Sequence, residues 1–151
     1  MRKKILLFTF VISLLSYSCT TSKTTISNSV DLGKYEYASL TDVTSYNGSA
    51  SLMDIEVKVF NALEKTRLKM IGDNRIGELS YEQKEKLLLV RFSATSNDDE
   101  SVISVNFVDY MTGKPVASCR GAFGLGISRQ HDMSVAINKV TEQIIGLWGN
   151  N

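Results

Sequence analysis

Cysteine and histidine are almost missing from this chain: Cys19 and Cys119 are the two thiols, and His131 is the one imidazole. Two cysteines make no disulfide framework, so the fold must be held by an apolar core. One histidine cannot build a multi-histidine zinc site. An excess of charge of one sign is missing too. With Arg2, Lys3 and Lys4 set aside, the basic residues fall from 17 to 14 against 16 acidic ones. A near-neutral, slightly acidic body lacks the electrostatic footprint for nucleic acid or other acidic polymers. Long apolar runs are lacking beyond one near the start, Ile5 to Leu15. As a helix that run covers roughly 16 Å against a hydrocarbon core of about 30 Å, too little to span a bilayer.

What is present is an address. The cations Arg2, Lys3 and Lys4, the apolar run and the small residues around Tyr17 follow the order of a bacterial secretory signal. The segment Ser16, Tyr17, Ser18, Cys19 resembles a lipobox, the cleavage site of lipoprotein signals. Ser18 fits that pattern, whereas Tyr17 is bulkier than usual and Ser16 stands where leucine is common. The resemblance implies a signal peptide over residues 1–18 and a lipidated Cys19 as the first mature residue. Each buried methylene of an acyl chain adds about 0.8 kcal/mol, and two or more chains hold stably. The alternative is ordinary cleavage near Ser18, which leaves a soluble secreted protein.

Residues 19–33 read as the lipidated cysteine and a flexible tether, because TTSKTTISNSV is mostly small and hydroxylated. Eleven such residues span roughly 18 Å as a coil. Residues 34–151 suit one domain. In KYEYASL, Tyr35 and Tyr37 alternate with polar residues, as in a short, edge-like strand. From Leu52 to Ile71, the spacing of Leu52, Ile55, Val59, Leu63 and Met70 predicts a helix that stops at Gly72. Ser80 and Gln83 have capping-box spacing. LLLVRFSA, SVISVNFVDY and PVASCRGAFGLG then read as three strands joined by the turns SNDDE and MTGKP. An amphipathic helix follows, from about Gln130 to Trp148. The order β-α-β-β-β-α predicts an α+β two-layer sandwich, with about four largely antiparallel strands and two helices on one face. Ser104, Asn106, Ser118 and Arg120 would leave the other face wet.

The stretch KVFNALEKTRLKMIG, the strand LLLVRFSA and NFVDYMTGKPVASCRGAFG, behind such a signal, resemble a group of small Gram-negative lipoproteins of unknown function. The folded part is similar to the N-terminal domains of the curli-secretion lipoprotein and of the Tol-system β-propeller protein. The resemblance implies a cell-envelope protein, lipid-anchored at Cys19, at the outer membrane and facing the periplasm. It implies assembly or contact with an envelope protein partner rather than catalysis, and transfers no catalytic, cofactor or metal residue. A periplasmic module binding a small ligand is the alternative function.

Other candidate chemistry has an ordinary structural reading. Gly121, Gly124 and Gly126 follow G-x-x-G-x-G, not the dinucleotide fingerprint, and mark a strand end where the backbone bends. Cys119 shares an alternate strand face with Ala117 and Phe123, as a core thiol would. His131 and Asp132 open the last helix, where Asp132 meets the helix dipole and serves as a cap. Asp98, Asp99 and Glu100 read as a solvated turn without calcium-loop spacing. Asp109 and Arg120 lie on neighbouring strands, within reach of a cross-strand pair.

Overall fold

The computed structural model describes residues 19–41, 50–124 and 128–149; the signal predicted over residues 1–18 lies outside them. The three-strand meander read from the sequence forms the middle of the sheet. Leu87–Ser96 (β4), Ser101–Asp109 (β5) and Pro115–Gly124 (β6) run antiparallel in turn. Alternation in β5 decides the faces: Ile103, Val105 and Phe107 are wholly buried, while Ser104 and Asn106 point away. Arg129–Trp148 (α3) lays Ala136, Ile137, Val140 and Ile144 on the apolar face of β5 and β6. Ala50–Glu64 (α1) packs beside it through Ile55, Val59 and Leu63. Burying each large aliphatic chain contributes about 1.5–3 kcal/mol. The sheet-plus-helix class is as predicted.

The strand count is not. Among the described residues the sheet has six strands, in the order β1 (Cys19–Ile26), β6, β5, β4, β2 (Tyr37–Leu40) and β3 (Lys69–Met70), where four were expected. One extra strand comes from the presumed tether: Cys19–Ile26 (β1) pairs antiparallel with β6, from Cys19 opposite Gly124 to Ile26 opposite Ala117. Its hydroxyl-rich sequence cannot form a core, but an edge strand against an existing sheet needs only its backbone ladder and suitable polar partners. Gln143 of α3 supplies those partners. Its Nε2 donates to Ser22 Oγ at 2.7 Å, and its Oε1 accepts from Thr24 Oγ1 at 2.9 Å. The same amide meets the Arg120 backbone, Nε2 donating to the carbonyl at 3.0 Å and Oε1 accepting from the amide at 3.2 Å.

The other extra strand was hidden in the helix predicted through Ile71. That helix ends at Glu64, because Thr66 Oγ1 donates to the Leu63 carbonyl at 2.6 Å and accepts from the Leu68 amide at 3.2 Å. The chain then extends, and Lys69–Met70 (β3) pairs parallel with Tyr37–Leu40 (β2). Consequently β2 is not the expected edge: it lies between β3 and β4 and runs parallel to β4.

The outer sheet face is wet only in part. Asn106 and Arg120 are exposed and Ser118 donates to Asn106 Oδ1 at 2.8 Å. Over β2 and the start of β4, a 3-10 turn at Asp73–Glu78 and the short helix Tyr81–Glu85 (α2) cover it. Ile76 is buried there, Gln83 reaches Tyr37 Oη, and Ser39 and Leu87 lose all solvent contact. The capping box on α2 is present: Ser80 Oγ accepts from the Gln83 amide and Gln83 Oε1 accepts from the Ser80 amide. Among the described residues, no helix is long and apolar enough to cross a membrane.

Candidate functional site

Cys19, the predicted lipidation site, is the first residue of β1 and stands opposite Gly124 at one end of the sheet. Nothing else in the sequence-derived set converges on a catalytic arrangement. Cys119 is fully buried on β6 opposite Val105, and burial pushes its thiol up to about 12, far from a reactive thiolate. His131 is exposed, with its ring edge-on to Phe123 at 5.8 Å between centroids. Phe123 lies four residues beyond Cys119, roughly 13 Å along the strand. Asp132 is buried but does not cap the helix as predicted. Ser128 is the cap, its Oγ accepting from the His131 amide at 3.1 Å, because its extended backbone aims the side chain at the first turn.

The glycines have a packing role. A Cβ on Gly121 would collide with the Ala136 carbonyl of α3, and one on Gly124 with the Asp99 carbonyl. Gly126 lies outside the described residues. The acidic turn is tied by Asn97, whose Oδ1 accepts from the Asp99 and Glu100 amides at 2.9 and 2.8 Å, and Asp98 pairs with Arg129. No three His, Cys, Asp or Glu among the described residues are placed to hold a metal.

The Asp109–Arg120 pair does not form. Asp109 is on the buried face of β5, whereas Arg120 stands on the outer face opposite Ser104, five positions back along β5. Asp109 instead gathers a polar node under the β5–β6 turn. Its Oδ2 accepts from Tyr35 Oη at 2.9 Å and Lys34 Nζ at 3.1 Å, and its Oδ1 accepts from the Thr112 amide at 2.8 Å and Thr112 Oγ1 at 3.0 Å. Burial alone would raise this carboxyl, but the bonds from Thr112, Lys34 and Tyr35 outweigh it and hold the group down at about 2. Burial, then the bond to Asp109, raises Tyr35 well above an ordinary phenol. Gly113 closes the turn at φ 67°, the left-handed region glycine favours.

Beside this node, Arg67 donates from Nη1 to the Tyr35 carbonyl and from Nη2 to the Leu32 carbonyl, each at 2.6 Å. Its guanidinium lies 5.7 Å from the Trp148 ring centre. The sequence held one signal for this node, the Asp-x-x-Thr-Gly-Lys turn, but nothing local pointed to Tyr35 or Arg67.

Two surface features complete the candidate site. A groove of about 600 Å³ runs between α1 and α3, floored by Ile55, Met133 and Ile137 and rimmed by Asp54, Lys58 and Arg129. On the outer side of α1, Met53, Val57 and Phe60 form an exposed apolar stripe at helical spacing.

No protein-family model and no curated protein matches this chain. Solved structures do. The PelC dodecamer from Paraburkholderia phytofirmans superposes with a TM-score of 0.51 at 16% identity, over 87% of this chain and 99% of that one. A PDZ domain protein from Parabacteroides distasonis superposes with a TM-score of 0.59 at 12% identity, over 93% of this chain but 40% of that one. Likeness at these identities is likeness of fold alone.

Proposed function

We propose that this chain is an exported bacterial lipoprotein, anchored through acyl chains on Cys19 in the cell envelope, at the outer membrane and facing the periplasm. It works by contact with an envelope protein rather than by catalysis. The observation that carries this reading is the secretory-type signal ending at Cys19, directly ahead of a folded domain. The scattering of Cys119, His131 and Asp132 into separate structural roles supports a non-catalytic role. The fold likeness to PelC, which was solved as a dodecamer, makes a second copy of this chain the first partner to test. Labelling with a fatty-acid analogue in the source bacterium, comparing wild type with Cys19→Ala, tests the anchor; equal incorporation in both sinks it. Crosslinking on intact membranes, followed by light scattering of the purified protein, tests the partner.

A small-ligand module is the second reading, favoured by the apolar floor and charged rim of the α1–α3 groove. A ligand that binds only the folded state raises the melting temperature, and a thermal-shift screen reads that directly.

A further inference from the structure

β1 leaves no spacer after Cys19. The register sets Cys19 opposite Gly124, Phe123 opposite Ser101, and Ser101 opposite Ser96, so the ends of four strands lie side by side. The 97–100 turn closes this end, and α3 begins here, Arg129 pairing with Asp98 and its carbonyl accepting from Ser101 Oγ at 3.5 Å. The 110–114 turn and Ile26 occupy the opposite end, since Val108 faces Pro115 and Ile26 faces Ala117.

We infer that the anchor seats the Cys19 end of the sheet directly on the bilayer headgroups, with the strands standing away from the membrane. The inference rests on the lipidation of Cys19 proposed above. A diacylglyceryl thioether places the glycerol within one side chain of the strand's first residue, with no free residue between them to absorb motion. A free coil over residues 20–30 would have let the domain drift by roughly 18 Å. Instead the ladder to β6 and the Gln143 amide fix residues 20–26 of it. From β1 to β4 the seated edge spans about 14 Å, and ten-residue β6 carries the far turn roughly 33 Å away.

Side-chain chemistry at this end would not seek a membrane unaided. Asp98, Asp99 and Glu100 cluster in the turn, and among the described residues Arg129 pairs with Asp98. Within a Debye length of about 8 Å these carboxylates are repelled by anionic lipid. The orientation therefore comes from the covalent anchor, and lengthening the connection releases it.

The test uses the full chain, exported and purified with its lipid checked by intact mass. Asp99→Cys, Gln130→Cys and Lys114→Cys each carry a fluorophore at an exposed position, while Cys119 stays buried. In phosphatidylcholine vesicles bearing a headgroup nitroxide, labels at 99 and 130 should be quenched about threefold more than the label at 114, given their separation of roughly 30 Å. A Gly/Ser insert of about twelve residues after Cys19, with a mean span near 20 Å, should bring that ratio towards one. In protein that carries the lipid, equal quenching without the insert, or an unchanged ratio with it, overturns the seating and leaves the lipoprotein reading intact. An intact mass without lipid removes the lipoprotein reading, and the seating with it.

Discussion

Tyr35 Oη donates to Asp109 Oδ2 at 2.9 Å, joining the segment ahead of β2 to the far end of β5 across 74 positions of sequence. Tyr35 also meets Trp148 edge-on, with ring centres 6.3 Å apart, so the bond is braced by the last turn of α3. Removing the carboxylate strands the buried Tyr35 hydroxyl, whereas removing the hydroxyl leaves Asp109 Oδ2 with Lys34. Tyr35→Phe should cost about 1.5–3 kcal/mol, as expected for a hydrogen bond to a charged group, and Asp109→Ala should cost more. Urea melts of the three proteins check this, and equal midpoints would remove the node's structural role.

Acid should expose the same carboxylate. Asp109 is held near 2, below the ordinary aspartate value of about 3.9. Its contribution is fully present above the unfolded value and is lost as pH falls towards 2, a swing of about 2 kcal/mol. Melting temperatures of wild type and Asp109→Asn between pH 5 and 2 should therefore converge on the acid side.

Gln143 should govern β1 more than the whole domain. Replacing it with leucine removes the acceptor of Thr24 and the donor to Ser22, bonds worth about 1 kcal/mol each. Amide exchange over residues 20–26 should quicken severalfold while β4 and β5 keep their protection. Uniform acceleration across the sheet would contradict the clamp.

Gly121 should tolerate no side chain. Gly121→Ala drives a methyl into the Ala136 carbonyl and forces α3 away from β6, at a cost of about 1–3 kcal/mol. Thermal unfolding checks it, with Gly77→Ala as the control because nothing lies within 4 Å of a Cβ there.

The native thiol should be silent. Cys119 is fully buried and its thiol is pushed up to about 12, so a thiol reagent should label a lipidated or Cys19→Ala protein only after denaturant is added. Labelling of the folded protein at neutral pH would mean that β6 opens at its core face.

How far the sequence led depended on where each element's stabilisation comes from. The meander and α3 carry their own apolar periodicity, so Ile103, Val105 and Phe107, with Ile137 and Ile144, were legible as core. The capping box at Ser80 was legible because both halves of it are local. β1 was not, since its support lies in a ladder to β6 and in an amide 119 residues away. β3 was masked because Met70 keeps helical spacing with Leu63, and only the Thr66 hydroxyl shows where the helix stops. The Asp109 node was half legible: the turn announced itself, but its partners Lys34 and Tyr35 lie 75 and 74 positions away in the sequence.

The pairing of Cys19 with Gly124 also sets a timetable. On the export route proposed above, β1 leaves the secretion channel first and has no place to go until β6 has followed it. Until then β1 is single-stranded, and on the same proposal Cys19 stays accessible to the enzymes that would acylate or cleave there. Closure of the sheet ends that interval. A chain whose β6 arrives late gives those enzymes more time, and one truncated before β6 never shuts them out.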